Sequence, residues 1–174
     1  NPQDVLAVFP QRPAGGAPEH LLKEQLCLGL DGVQDPGNLG TMIRTGEGAG
    51  ITGVIMNNQT VDIFNPKTIR ATMGSIFRVP FVYVPDLAPV LEQMHAKGIY
   101  TYAAHLKGQE YYDSFSFREP TAFLIGNEGN GLSKEISDQA GQYLKIPMEG
   151  RVESLNASIA AALLMYEAHR QRNL

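Results

Sequence analysis

The chain contains one cysteine, Cys27, so an internal disulfide is excluded, and a lone thiol of this kind points to a reducing, cytosolic setting. Its position inside the apolar run 26–30 reads as a small buried hydrophobe rather than a nucleophile. No apolar run approaches the ~20 residues of a membrane-spanning helix. The histidines, His20, His95, His105 and His169, are scattered, and no His/Cys/carboxylate cluster has metal-ligand spacing, so no metal is expected. A basic excess is also missing: the net charge is −4, which argues against binding nucleic acid through overall charge. Local patches remain, with Lys67, Arg70 and Arg78 in one segment and Arg44 and Arg151 elsewhere. Neither an internal repeat nor a low-complexity tract is present.

Two nucleotide-binding signatures fail as well. The turn Gly126-Asn-Glu-Gly-Asn-Gly131-Leu-Ser133 has the glycine separation of a phosphate loop, but Leu132 stands where the lysine for the β- and γ-phosphates is needed. Glu128 inside the same turn would repel phosphate. No strand is followed by the G-x-G-x-x-G spacing of a dinucleotide site. ATP hydrolysis and dinucleotide chemistry are therefore not the expectation.

The 174 residues, 43% hydrophobic, suit one domain with a sizeable core, and eighteen glycines with eleven prolines require many tight turns. The first residue is Asn rather than Met, so a fragment or processed chain is expected. Residues 5–9 read as a short strand and 10–18 as a Pro/Gly-rich loop, making 1–20 a strand and linker-like segment ahead of a body over 21–174. Strand candidates follow at 26–30, 53–56, 79–84, 99–104, 121–125 and 143–146. Helices are expected at 39–48, at 65–73 with Pro66 in the first turn, at 86–97 capped by Asp86, and at 133–140. The last helix is expected to begin near Ser154 as its N-cap and to run to Arg172. It is apolar over most of its circumference, so one face should meet the core and another a second subunit. Residues 107–120 read as a loop whose rings, Tyr112, Phe115 and Phe117, pack on the sheet. Strand, glycine-rich turn and helix in succession predict an α/β fold, a mainly parallel sheet with helices on both faces.

Three glycine-bearing turns follow apolar strands, at 35–40, 126–133 and 147–154. Ligands of parallel α/β sheets bind beyond the carboxyl ends of the strands, so three such turns suggest one composite site. Read one at a time, Asn38 is a helix cap, Arg44 a surface charge, and Ser154, Asn156 and Ser158 are local capping residues.

Taken together, Asp35-Pro-Gly-Asn38-Leu-Gly40 with Arg44, Leu124-Ile-Gly-Asn-Glu128-Gly-Asn-Gly131-Leu-Ser, and Ile146-Pro-Met-Glu-Gly150-Arg-Val-Glu-Ser154-Leu-Asn156-Ala-Ser158 resemble the three signature motifs of the SpoU/TrmH family of RNA ribose 2′-O-methyltransferases, in the SPOUT superfamily. The resemblance covers about residues 24–172. It implies methyl transfer from S-adenosylmethionine to an RNA 2′-hydroxyl, a C-terminal trefoil knot and a homodimer. The knot comes from the resemblance alone, because threaded chains are absent from ordinary topologies.

Carried onto this chain, the resemblance implies that backbone groups at Gly126, Ile146 and Leu155 hold the cofactor's adenine and ribose. Leu124, Met148 and Leu155 supply apolar walls, and Asn127 and Gly131 belong to the same pocket. The implied catalytic group is Arg44, Asn38, Glu128, Ser154 and Asn156. Arg44 stays protonated, so the role expected for it is the cation that holds an RNA phosphate and stabilises the developing alkoxide rather than a base. Asn38 and Asn156 would orient Arg44 or the ribose, Ser154 would bond the hydroxyl or phosphate, and Glu128 would position Arg44. Ribosomal RNA is expected over transfer RNA, because many members carry a separate N-terminal RNA-binding domain and this chain opens near the first catalytic strand. Two other classes stay open: a non-catalytic RNA-binding or assembly protein that kept the fold, and a nucleotide-binding regulator.

Overall fold

The computed structural model describes residues 21–22 and 26–174; the strand expected at 5–9 and the linker-like loop after it lie outside the described residues. Seven strands form one sheet: β1 (Leu26–Asp31), β2 (Gly53–Asn57), β3 (Phe81–Val84), β4 (Tyr100–Ala104), β5 (Glu110–Tyr111), β6 (Thr121–Gly126) and β7 (Gln142–Lys145). Their order is β3-β2-β1-β6-β4-β7-β5, and every pairing is parallel. The central pair, β1 and β6, is apolar along almost its whole length because both faces of a parallel sheet are covered.

Helices cover both faces, as the alternating pattern requires. On one face α1 (Pro36–Ala49) and α5 (Ala157–Arg172) pack Leu39, Met42, Ile43, Ala161, Leu164 and Met165 onto Leu28, Leu30 and Phe123. The other face carries α3 (Ala88–Ala96) and α4 (Lys134–Gln139), with Leu91, Met94 and Ile136 against Cys27, Ile55 and Leu124. Cys27 is fully buried there, as its apolar setting implied. A fifth helix, α2 (Pro66–Thr72), lies along α1 at a close approach that only a glycine permits: a Cβ at Gly40 would sit 2.5 Å from the Ala71 Cβ.

Some boundaries move, each for a local reason. α1 begins at Pro36 because Asp35 is the cap: its carboxylate accepts from the Asn38 amide, which leaves the Asn38 side chain available. α5 begins at Ala157, and its cap is Asn156 rather than Ser154; the Asn156 side-chain oxygen accepts from the amides of Ser158 and Ile159. Asp86 does bond the first turn of α3, accepting from Ala88 N. The segment 107–120 holds the edge strand β5, too short to show a period, yet its rings pack as expected. Phe117 is fully buried, with its centroid 5.0 Å from those of both Tyr102 and Phe123. The same segment is tied to the end of α5, where Gln171 donates to Phe115 O and accepts from Phe117 N.

α5 divides its apolar residues between two surroundings. Ala161, Leu164, Met165 and Ala168 are buried, whereas Ile159, Leu163 and Tyr166 form a stripe on the outer side, each between 37% and 49% exposed.

Candidate active site

The carboxyl ends of β1, β2 and β6 meet at a buried polar junction. Asp31, the last residue of β1, accepts from the Asn57 side chain at 2.7 Å and from the Ser133 amide at 2.7 Å. Asn57 in turn accepts from Gly32 N and from the Thr60 hydroxyl. A buried carboxylate is kept there because both of its oxygens are bonded. The junction anchors the start of α4 to the turn after β1, and thereby holds the 126–133 loop above the sheet.

That loop folds back on itself. Asn127 and Gly131 exchange backbone hydrogen bonds, and the Asn127 side chain donates to Gly32 O while accepting from the amides of Gly129 and Asn130. The return passes directly over Gly126, where a Cβ would lie 2.1 Å from Gly131 C and Leu132 N. No side chain fits at that position.

The loop also presents Glu128. One carboxylate oxygen accepts from Gln34 N at 2.9 Å; the other accepts from Asp35 N at 3.0 Å and from the Asn38 side-chain amide at 3.0 Å. A carboxylate only accepts, so Asn38 must turn its NH2 toward Glu128 and its oxygen the other way. There the oxygen accepts from the Asn156 NH2 at 3.0 Å. Asn156 must then turn its own oxygen to α5, where it takes the Ser158 amide and hydroxyl. A single acceptor-only group thus sets the orientation of two amides and couples all three motif loops to one helix end. Burial pushes the Glu128 carboxyl up, but the bonds from Asn38, Gln34 and Asp35 outweigh it and hold its pKa below the usual carboxylate range. The Asn38 amide bond likewise lowers that of Asp35, helped by Lys67 at 3.3 Å.

Beside this relay opens a cleft of about 330 Å³, bounded by the ends of β4, β6 and β7 and the loop leading to α5. All seven residues expected at a cofactor pocket line it: Leu124, Gly126, Asn127, Gly131, Ile146, Met148 and Leu155. Glu128 and Ser154 line it too. Asn38 and Asn156 stand at its edge through the relay, next to Ala157, which lines the wall. Arg44 is not brought in: it is exposed on α1, about 9 Å along the axis from Asn38 at 1.5 Å per residue, and has no hydrogen-bond partner among the described residues. Glu128 accordingly holds Asn38 and the 34–35 backbone, not Arg44.

Asp31 and Asn57 have no local signal beyond being polar residues that close two apolar strands, and nothing in the spacing of His105 or Glu153 marks them for the cleft wall they line. His105 stacks on Tyr143 at 4.8 Å, and its Nδ1 accepts from Lys107 N, which places the proton of the neutral ring on Nε2.

The walls are apolar, the rims carry backbone amides and carbonyls, and Glu128 is a carboxylate bonded only by neutral N–H groups. The arrangement suits a ligand with a flat apolar portion, hydrogen-bonding edges and a positive centre. Comparison with known proteins agrees with that chemistry. Residues 25–166 match the SpoU rRNA Methylase family. The chain is 38% identical, over 85% of its length and 59% of the relative's, to the 23S rRNA (guanosine(2553)-2′-O)-methyltransferase RlmP of Bacillus subtilis (strain 168). It is similar to the SpoU methyltransferase AviRb from Streptomyces viridochromogenes in complex with the cofactor AdoMet, with TM-score 0.80 and 35% identity, covering 86% of this chain and 62% of that one. A further solved structure, described as "Structural insights into the 2-OH methylation of C/U34 on tRNA", superposes with TM-score 0.77 and 30% identity over 86% of this chain and 97% of that one. The chain spans under two thirds of the length of the curated relatives it matches.

Proposed function

The chain belongs to the SpoU rRNA methylase family, and from that premise we propose that it transfers a methyl group from S-adenosylmethionine to the 2′-hydroxyl of a ribose in structured RNA, with ribosomal RNA as the substrate. The observation that carries this reading is the relay Glu128–Asn38–Asn156, which joins three distant motifs at the rim of an apolar cleft. A nucleotide-binding regulator is disfavoured by the same cleft, because Glu128 in its lining adds negative charge that repels phosphates.

The residues present fit the cofactor. Leu124, Ile146, Met148 and Leu155 offer apolar walls for an adenine, and the folded-back loop at Gly126 and Gly131 brings backbone close enough to read its edge. When bound, S-adenosylmethionine supplies a methyl on a positively charged sulfur. The chain's own contribution is alignment, which can be worth roughly 7–11 kcal/mol when a reacting oxygen is held in line. Asn38 and Asn156 hold the cleft rim rigid, and Ser154, exposed at that rim, donates to the substrate hydroxyl or its phosphate. Arg44, exposed on α1 outside the cleft and without a side-chain partner among the described residues, binds a phosphate of the RNA that enters the site.

We propose that the outer stripe of α5, Ile159, Leu163 and Tyr166, is covered by a second copy of the chain, since three part-exposed apolar side chains along one helix face gain by burial. We also propose that the 127–156 segment and α5 make the trefoil threading implied by the family likeness, with an experimental electron-density trace as the test.

Transfer RNA is the second reading, favoured by the tRNA-acting neighbour that this chain covers almost end to end. Calorimetry with S-adenosylmethionine, its analogue sinefungin and ATP tests the pocket; labelled-methyl transfer to ribosomal and transfer RNA, mapped to 2′-O-methyl sites, tests the reaction. Binding of the cofactor without transfer to either RNA would instead support a non-catalytic assembly protein.

A further inference from the structure

A second surface, away from the cleft, combines features that the site does not use. From Ile63 to Pro85 the sequence contains Lys67, Arg70 and Arg78 and no Asp or Glu, in a chain whose net charge is −4. Within this stretch Phe77 is 84% exposed and Met73 69%, with Ile69 beside them on the outer side of α2. Isolated apolar side chains on a surface need no explanation, but an almost fully exposed phenylalanine flanked by arginine and methionine does.

The backbone is built to present that ring. Met73 is the only non-glycine with positive φ among the described residues, at 50°, and Gly74 follows at 89°. Two successive left-handed residues end α2 abruptly and start the 3-10 turn Ser75–Phe77. In that turn Ser75 and Ile76 are buried and Phe77 points out. Glu47 of α1 clamps the turn from beneath, bonding both the Ser75 hydroxyl and the Arg78 guanidinium. The ring is therefore displayed on a rigid base, and conformational strain retained at an exposed position commonly marks a site of use.

The cations around it differ in availability. Arg78 is held by Glu47 and Lys67 reaches Asp35 at 3.3 Å, whereas Arg70 has no partner among the described residues. Arg44 on neighbouring α1 is likewise exposed and without one. Because α2 runs beside α1 from the Asp35–Lys67 contact near the relay to the Glu47–Ser75 contact, these cations and Phe77 mark out a track leading away from the cleft.

Resting on the RNA-methylation reading, we propose that the α2 surface is an auxiliary RNA-binding site: Phe77 stacks on an unpaired base, and Arg70, with Lys67 beside it, contacts the flanking phosphates. Aromatic stacking with adjacent cations is how single-stranded RNA is held without reading its sequence. Charge selects this occupant over a second copy of the chain. A segment with three cations and no carboxylate would meet like charge if it packed against itself across a two-fold axis, whereas a phosphate backbone offers it opposite charge; the uncharged stripe of α5 has no such bar to self-contact.

The test measures binding of fluorescein-labelled oligouridine and of a blunt RNA duplex to the wild type, Phe77→Ala, Phe77→Trp and Arg70→Ala, with sedimentation velocity and S-adenosylmethionine calorimetry on each. Phe77→Ala is expected to weaken oligouridine binding roughly tenfold or more, with Phe77→Trp restoring it and the duplex little affected. Arg70→Ala should lower the slope of log affinity against log salt by about 0.7, one phosphate on a single strand. Cofactor affinity and oligomeric state should not change. If Phe77→Ala leaves RNA affinity intact, or shifts the oligomeric state instead, the surface is not an RNA site, while the proposed reaction stands if cofactor binding and transfer persist. Wild-type protein that binds cofactor but neither RNA probe overturns the auxiliary site, and the reaction is then decided by labelled-methyl transfer.

Discussion

α1 is tied to the rest of the molecule by a carboxylate at each end, and the two clusters are built on different principles. At its amino end Glu128 receives only neutral N–H donors, from Gln34, Asp35 and Asn38, and the partners come from loops ninety or more residues apart. At its carboxyl end Glu47 meets a guanidinium and a hydroxyl from one turn some thirty residues on. The second cluster neutralises its own charge and closes. The first keeps a negative charge at the edge of a cleft and continues through Asn38 and Asn156 into another helix. A closed ion pair suits holding two elements together; a relay of neutral amides around an unneutralised carboxylate leaves negative charge at the rim of the cleft.

The comparison can be broken most severely at the glycine on which the amino-end loop closes. Gly126→Ala places a methyl 2.1 Å from the returning backbone, and because the overlap is with main chain the loop must open. Overpacking usually costs about 1–3 kcal/mol; delivered to the cleft wall, it is expected to weaken S-adenosylmethionine binding about a hundredfold, read by calorimetry. Retained affinity would mean that the folded-back loop is not part of the pocket.

Removing the middle of the relay is the next largest effect. Asn38→Ala leaves Glu128 and the Asn156 amide each one partner short, at about 1–3 kcal/mol. Methyl transfer is expected to fall about a hundredfold or more, with a smaller loss of cofactor affinity. A matching loss in both would place Asn38 in cofactor binding instead of substrate alignment.

Glu47→Gln addresses the other end. A lower melting temperature with unchanged cofactor affinity is expected, since the charge there serves only to join α1 to the 75–78 turn; calorimetry in both modes checks it. A change in cofactor affinity would show that the two ends of α1 are coupled.

The smallest effect sharpens the contrast through pH. The bonds from Arg78 and Ser75 hold the Glu47 carboxyl well below its ordinary value of 4.5, at about 2. A depressed carboxylate stabilises the fold fully above its ordinary pKa and loses that contribution as pH falls through the folded value, so the loss develops between pH 4.5 and about 2. Acid unfolding followed by circular dichroism should flatten in this window for Glu47→Gln relative to wild type. Glu128, shifted in the same direction, should show its effect on the same acid side in Glu128→Gln, but also in cofactor binding at neutral pH.

Much of this was legible in residue order. The strands expected at 53–56, 99–104 and 121–125, each found within one residue at either end, the proline-initiated α2 and the helices on both faces follow from apolar periodicity and turn chemistry, which act within a few residues. The seven residues that motif likeness assigns to a cofactor all line one cleft. What local signals missed has a common cause. Ser154 and Asn156 are both good caps, and only the pull of Asn38 on one side and α5 on the other decides for Asn156. Edge strand β5 exists because β7 offers it a partner, not because Glu110 and Tyr111 favour a strand.

By itself, then, the amino-acid order determined the α/β class, the parallel arrangement and the identity of the three loops, because each rests on burial patterns and backbone preferences that neighbouring residues set. Only the tertiary structure decided who bonds whom: that Glu128 serves Asn38 rather than Arg44, that Asp31 and Asn57 carry the loops, and that Phe77 is displayed at the end of α2 rather than buried. Those outcomes depend on distances between groups far apart in the chain, and a hydrogen bond that vanishes beyond about 3.5 Å has no trace in sequence spacing.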